Sequence, residues 1–423
     1  MNAEQYKDIE RYMLRKGGIE HKDNNPCQEL VDFIKQDLRV LVIGAGGLGC
    51  EILKNLGVMG IKNIDIIDLD KIDITNLNRQ FLFRKADVGK YKSEVAAAFV
   101  KKRCPNVNIT HYVGKIEDFK RNFYEKYQIF IAGLDNIEAR RWLNSLVYSF
   151  LEYDSKGDIV PQSVKMLIDG GTESFAGQAR IIIPGQTACF ECTLDTMSES
   201  KVYNFCTITH TPRIAEHCIA YAFLIEWDKH FKRNYDTDSV EDITWIYECA
   251  LKRGQQFGIE GITYNKTLGV VKNIIPNIAS TNSIIAAACC NEFLKVASYM
   301  APTVDNYMMY MGKNGINVAA HKFDQKDSCI ICNNKPIDMT LKKESTVEEV
   351  LEEIEKKFNI KKLTLIVAET GKYIFASNPQ PLYEEYKDNL TKPLGDFIKE
   401  SKKMITVFSK SINNEVTVRV NYA

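Results

Sequence analysis

The chain has 423 residues, 45% of them apolar and 26% charged, an ordinary globular mix with room for about two or three domains. Lys and Arg together number 55, as do Asp and Glu, so the chain lacks the basic excess of a nucleic-acid binder or a membrane-surface protein. No apolar run is long enough to span a bilayer and the N-terminal MNAEQYKDIERYMLRKGG has no apolar signal core, so the expected location is the cytoplasm, the nucleus or both, where the 12 cysteines stay reduced.

In chain order, residues 1–38 lean helical, with Tyr6, Ile9, Tyr12 and Met13 at helical spacing. Arg39–Ile43 is a short continuous apolar run that predicts a buried parallel strand. The glycine loop Gly44-Ala-Gly-Gly-Leu-Gly49 follows, then an amphipathic helix over Cys50–Met59. Ile64–Leu69 predicts a second buried strand, 92–102 a second helix, and Ile129–Ala132 and Met166–Asp169 further strands. Alternation of this kind predicts an α/β fold with a doubly wound, mostly parallel sheet. Residues 193–270 break the rhythm and predict a helical insertion, after which Ile278–Ala288 returns as a packed helix. Past the turn-prone Cys332–Pro336, a helix (Thr346–Phe358), a strand (Leu363–Ala368), a turn at Gly371 and a strand (Val416–Val420) predict a small separate α+β module.

Gly44, Gly46 and Gly49 lie between a buried strand and a helix, the context in which this spacing binds phosphate: glycines admit the ligand to the backbone, and the helix start offers free N–H groups. Asp68, at the end of the next strand, is placed to accept from ribose hydroxyls. These features alone do not separate NAD from ATP. Asn76, Arg79, Gln80 and Lys92 follow soon after, and such a cluster suits a triphosphate better than a dinucleotide. Asp135, just after a strand, is a candidate ligand for magnesium. Taken singly, each of these charges reads first as a solvated surface residue, and their joint value depends on the arrangement.

Two Cys-x-x-Cys pairs, Cys189/Cys192 and Cys329/Cys332, together offer four thiolates for a tetrahedral structural zinc; a redox dithiol or two packed turns are the rival readings, because the pairs lie far apart in sequence. Cys206 stands outside both pairs in the polar insertion, as either a nucleophile or a small buried hydrophobe. Cys50, Cys218, Cys289 and Cys290 lie on apolar helical faces and read as packing.

GAGGLG, Asp68, NLNRQF, Lys92 and the LDN at Asp135 together resemble the ubiquitin-like-modifier activating enzymes, most closely the catalytic subunits of the neddylation branch. Asp169–Thr172, the segment around Cys189 and Cys192, Cys206–Ile208, Pro212-Arg213, Glu216–Ile219 and Gly269–Lys272 extend the similarity through the C-terminal module. The resemblance implies an adenylation domain over 1–195 and 273–335, a catalytic-cysteine region over 196–272 and a ubiquitin-fold domain over 338–423. It implies ATP and Mg2+ at Gly44–Gly49 with Asp68, Asn76, Arg79, Gln80, Lys92 and Asp135, of which Arg79, Lys92 and Asp135 serve the chemistry, and structural Zn2+ at the four paired cysteines. The modifier's C-terminal carboxylate is adenylated, Cys206 takes it as a thioester, and a conjugating enzyme recruited by the ubiquitin-fold domain receives it. An inactive adenylation subunit completes such enzymes as a heterodimer. Arg180 corresponds to a residue beside the modifier tail that repels ubiquitin, whose tail carries an arginine where the neddylation modifier has a small residue. The crossover from Thr193 to Phe205 carries none of the prolines usual in this family. Competing expectations are a sumoylation-activating subunit, which normally has a longer tail, an NAD-dependent dehydrogenase, and a non-catalytic adenylation scaffold.

Overall fold

A computed structural model describes residues 7–15, 25–156, 158–196, 209, 211–237, 239–271, 277–299, 305–332, 336–368, 370–401, 403–410, 412 and 415–422. The chain divides into two compact units, Met1–Leu194 with Asn277–Ala423, and Asp195–Pro276.

The first unit contains an eight-stranded sheet in the order β3-β2-β1-β4-β5-β6-β7-β8. Its strands are β1 (Arg39–Ile43), β2 (Asn63–Ile67), β3 (Asn108–Tyr112), β4 (Ile129–Ala132), β5 (Met166–Glu173), β6 (Ala176–Ile182), β7 (Tyr307–Met311) and β8 (Asn317–His321). The first five are parallel; β5 to β8 run as antiparallel neighbours. Helices α1 (Lys7–Leu14), α2 (Gln28–Asp32), α3 (Gly47–Met59), α4 (Lys92–Arg103), α5 (Arg121–Tyr124) and α6 (Ile137–Ser149) accompany the parallel half.

Parallel strands buried on both faces read as apolar runs, which is why β1, β2, β4 and β5 are legible in sequence. The polar β3 (NITHY) and the wholly exposed β8 (NVAAH) lie at the two sheet edges, and neither shows that signal. The chain leaves β1 for β2 on one side and later returns to β4 on the other, so β1 and β4 flank a topological switch point. In this topology ligands bind beyond the carboxyl ends of the strands at the switch. The register sets Ile43 beside both Ile67 and Ala132, and Ala132 beside Asp169, so the residues that follow each strand gather at one edge.

Four helices make up the described part of the second unit: α7 (Ala215–Tyr221), which continues through a π turn into α8 (Trp227–His230), α9 (Val240–Phe257) and α10 (Tyr264–Val271). Cys218, Ile219, Trp227, Ile243, Ile246 and Ala250 form its core. Asp242 accepts a two-pronged bond from Arg233 at 2.7 and 2.6 Å.

Back in the first unit, α11 runs from Ala279 to Ser298, ten residues beyond the end its apolar pattern suggests at Ala288, and packs on β5 and β6. The C-terminal module is a five-stranded sheet, β11-β10-β12-β13-β9, built from β9 (Ile337–Leu341), β10 (Leu363–Val367), β11 (Lys372–Ala376), β12 (Lys403–Ser409) and β13 (Val416–Tyr422), with helices α12 (Val347–Phe358) and α13 (Gln380–Tyr386). Thr346 caps α12: its Oγ1 accepts from the Glu349 N–H at 3.2 Å while Glu349 accepts from the Thr346 N–H at 3.0 Å. Among the described residues, no helix is long and apolar enough to cross a membrane.

Candidate functional site

The glycine loop turns from β1 into α3 at the switch point. Gly44 has φ +93°, and a Cβ there would stand 2.7 Å from the Gly133 carbonyl, so this turn needs glycine twice over. A Cβ at Gly49 would overlap the Gly44 carbonyl, whereas one at Gly46 would meet nothing within 4 Å among the described residues. Gly46 therefore borders open space at the start of α3, where a phosphate can meet unpaired N–H groups. Gly47, which the GxGxxG spacing passes over, is tighter than Gly46: a Cβ there would overlap the Asn282 side-chain amide and stand 3.3 Å from the Arg79 carbonyl. The same contact brings the Arg79 turn against the loop.

Asp68 follows β2 and shapes the loop directly. Its carboxylate accepts from the Ala45 N–H at 2.6 Å and the Asp70 N–H at 2.7 Å. Burial raises its pKa, and those two N–H groups oppose the rise. Lys92, the first residue of α4, donates to Asp70 at 2.8 Å; the lysine side chain is 10% exposed and the aspartate 55%. Asp70, absent from the sequence reading, thus holds the lysine; its place two residues after Asp68 was the available signal.

Asn76 and Gln80 are buried, and the Gln80 Oε1 has no partner among the described residues. Asn76 accepts from the Asp73 N–H at 3.0 Å, and Arg79 donates to the Thr75 carbonyl at 2.9 Å and to Asn78 at 3.0 Å. Asp135 is exposed beyond β4, and Asn136, which donates to it at 3.1 Å, also caps α6 by accepting from the Ala139 N–H at 2.7 Å. Arg140 ties this loop to β5: it donates to the Leu134 carbonyl, to the Gly170 carbonyl at 3.0 Å and to the buried Asp169. Asp169 also accepts from Gln178 at 3.0 Å. Beyond the carboxyl ends of the strands lie the backbone N–H groups of the loop together with Arg79, Lys92, Asn76, Gln80, Asp68 and Asp135, a set suited to a nucleoside triphosphate and a divalent cation.

The two cysteine pairs, distant in sequence, meet. All four Sγ atoms lie within 4.8 Å of one another, with Cys189–Cys192 at 3.8 Å, Cys189–Cys329 at 3.4 Å and Cys192–Cys332 at 3.3 Å. Tetrahedral zinc with bonds of about 2.3 Å holds its sulfurs close to about 3.8 Å apart, so the donors fit that ion. The neighbouring thiols, Cys189 first, hold the Cys192 thiol below its usual range, and the Lys326 N–H reaches its sulfur at 3.3 Å. Burial by contrast pushes the Cys50 and Cys290 thiols up to about 12, as expected of packing residues, and Cys218 and Cys289 are likewise buried and raised.

Arg180 sits on β6 between two neighbouring strands and is 3% exposed. Its guanidinium stacks on Phe190 and Tyr307, 4.9 and 5.2 Å from the ring centres, and donates to Thr193 at 2.6 Å. Among the described residues Nε and Nη2 meet no hydrogen-bond acceptor in good geometry, and burial lowers its pKa against the pull of Asp169, its partner across the β5–β6 pair, and of Tyr307. Cys206 and most of the crossover lie outside the described residues.

The ThiF family model matches residues 29–333 and the E2 binding domain model residues 340–422. The NEDD8-activating enzyme E1 catalytic subunit of Dictyostelium discoideum is 42% identical over 98% of this chain and 95% of its own. Its namesake in Arabidopsis thaliana is 42% identical over 97% of this chain and 91% of its own. The SUMO-activating enzyme subunit uba-2 of Caenorhabditis elegans is 40% identical, but over only 44% of this chain and 30% of its own.

Proposed function

We propose the chemistry of this chain from its kinship: it belongs to the ThiF family and, within it, to the catalytic subunits of NEDD8-activating enzymes. It is an ATP-dependent enzyme that activates a ubiquitin-like modifier and hands it to a conjugating enzyme. The observation that carries this is that both ends of the process lie on one chain, a ThiF domain at 29–333 and an E2 binding domain at 340–422.

In our reading, the glycine loop and α3 hold the triphosphate, Asp68 the ribose, and Arg79 and Lys92 the charge of the departing pyrophosphate. Asp135 is the ligand for Mg2+, which when bound neutralises phosphate charge. The C-terminal carboxylate oxygen of NEDD8 attacks the α-phosphorus, and the bond to pyrophosphate breaks. A carboxylate is inert toward thiols, whereas the acyl adenylate has AMP as a good leaving group. The Cys206 thiolate then attacks the acyl carbon, AMP departs with the electron pair of the C–O bond, and a thioester remains. A conjugating-enzyme thiol takes the acyl group in turn, and Cys206 is released. The four paired cysteines hold a structural zinc. An inactive adenylation subunit completes the enzyme as a heterodimer. Arg180 lies beside the modifier tail and turns away a tail that carries an arginine.

One experiment tests the scheme: the chain co-purified with its adenylation partner, assayed for ATP–pyrophosphate exchange and for a reductant-sensitive adduct with NEDD8, SUMO and ubiquitin. Wild type is expected to respond to NEDD8. Cys206→Ala is expected to keep exchange and lose the adduct, and Arg180→Gln to admit ubiquitin. An adduct that persists in Cys206→Ala removes that residue from its role, and unchanged ubiquitin rejection by Arg180→Gln removes Arg180 from selection. No exchange with any modifier overturns the whole reading.

A further inference from the structure

We propose that Arg141 is a positioning residue for the transfer step: through Glu191 it seats the conjugating-enzyme-binding module on the cysteine turn of the main domain. The inference rests on the reading of this chain as a modifier-activating subunit.

Helix α6 starts two residues after Asp135 and carries two adjacent arginines. Successive helical positions point about 100° apart. Arg140 accordingly serves the nucleotide side, through Leu134, Asp169 and Gly170. Arg141 serves another side altogether. Its Nε donates to Glu191 Oε1 at 2.7 Å and its Nη2 to Oε2 at 3.0 Å, and both side chains are 6% exposed. Glu191 lies between Cys189 and Cys192. The same face of α6, one turn on, holds the turn again: Asn144 accepts from the Phe190 N–H at 3.0 Å.

The remaining donors of Arg141 leave the main domain. Nη2 donates to the Phe358 carbonyl at 3.1 Å and Nη1 to that of Asn359. These carbonyls close α12, where Asn359 takes the left-handed conformation at φ 51°, ψ 46°. The last carbonyls of a helix have no partner within it and carry the negative end of its dipole. One guanidinium therefore satisfies a carboxylate and a helix end together. A lysine lacks the planar fork for that task. A buried ion pair adds little stability over an apolar pair of the same size, so a role in fixing one orientation accounts for it better than a role in holding the fold.

The test uses the full heterodimer with Arg141→Lys and with the double replacement Arg141→Met/Glu191→Leu, which leaves no buried charge unpaired. Amide hydrogen exchange at 356–361 is expected to quicken about tenfold or more in both. Single-turnover transfer to a neddylation conjugating enzyme is expected to show KM raised about fivefold or more, with ATP–pyrophosphate exchange unchanged within about twofold. Retained protection at 356–361 with wild-type transfer KM overturns the proposal. Exchange and transfer falling together also overturn it, because that pattern marks a general structural role. If wild type supports no exchange with any modifier, the functional reading fails instead, and the amide measurement still decides whether Arg141 seats the module.

Discussion

The nucleotide loop and the cysteine cluster are built in opposite ways. The loop is six consecutive residues, made almost wholly of main chain, and the protein completes its frame unaided: Gly44 donates to the Ile67 carbonyl at 2.9 Å and Ala45 to Asp68 at 2.6 Å. The cluster takes four side chains from two distant turns into the interior, where their thiols have little but one another. A ligand that comes and goes each cycle needs a site that stands without it. A resident ion can instead be part of what holds the site together. The two sites should therefore respond oppositely when each ligand is lost.

The largest effect is expected at the cluster. Cys189→Ser replaces a thiolate with a poor zinc ligand and leaves a buried hydroxyl among sulfurs. The loss is expected to reach about 4 kcal/mol, lowering the thermal midpoint by roughly 4–8 °C. Atomic absorption should show bound zinc falling below one equivalent. A variant with an unchanged midpoint and no zinc in wild type would make the cluster a packed pair of turns and erase the contrast.

A middle-sized effect separates two roles within the loop. At Gly46, φ is −73° and a Cβ meets nothing within 4 Å among the described residues, so Gly46→Ala should fold with an unchanged midpoint while its methyl intrudes on the phosphate space. KM for ATP in pyrophosphate exchange is expected to rise about tenfold or more, equivalent to about 1.4 kcal/mol. Gly49→Ala, whose Cβ overlaps the Gly44 carbonyl, should lose exchange and stability together. If Gly46→Ala binds ATP as wild type does, the open space beside Gly46 is not where phosphate sits.

How far each site was legible follows from the same contrast. The loop is local, so its glycines, Asp68 and Lys92 stand out by spacing and by the strand before them. The pairing of Cys189 with Cys329 is a tertiary fact, and the sequence offered it only as one of three readings. Glu191, Arg141 and Arg140 were missed because a charged residue on a helix or turn looks solvated until its partners are known; only the structure shows them buried and bonded. Arg180 stands out in sequence only through the family resemblance, and its burial depends on β7, which pairs with β6 and is followed by β8. Those strands, rich in methionine and alanine, carried no alternation to announce them. Cys206 lies outside the described residues, so its role still rests on sequence alone.

The smallest effect is expected from Asp68→Asn, in the stability of the protein without nucleotide. Burial raises the Asp68 pKa above its ordinary value, so the fold favours the protonated acid. Stability contributed by this group is therefore full below the ordinary carboxylate pKa and is lost as pH rises through the raised one. Once ionised, the carboxylate is a cost, moderated by the Ala45 and Asp70 N–H groups. Asn removes the charge but keeps one acceptor oxygen, losing one of those bonds. The two changes oppose each other, so the neutral-pH midpoint should move by no more than a degree or two, and the acid-side pH dependence should flatten. Thermal unfolding of both proteins in a buffer series from acid to neutral pH measures this. A variant with the wild-type pH profile would mean that Asp68 titrates as an ordinary surface acid. The outcome bears on the contrast itself, because a carboxyl fixed by the Ala45 and Asp70 N–H groups holds acceptor oxygens in place for ribose hydroxyls, as a site that waits for its ligand requires.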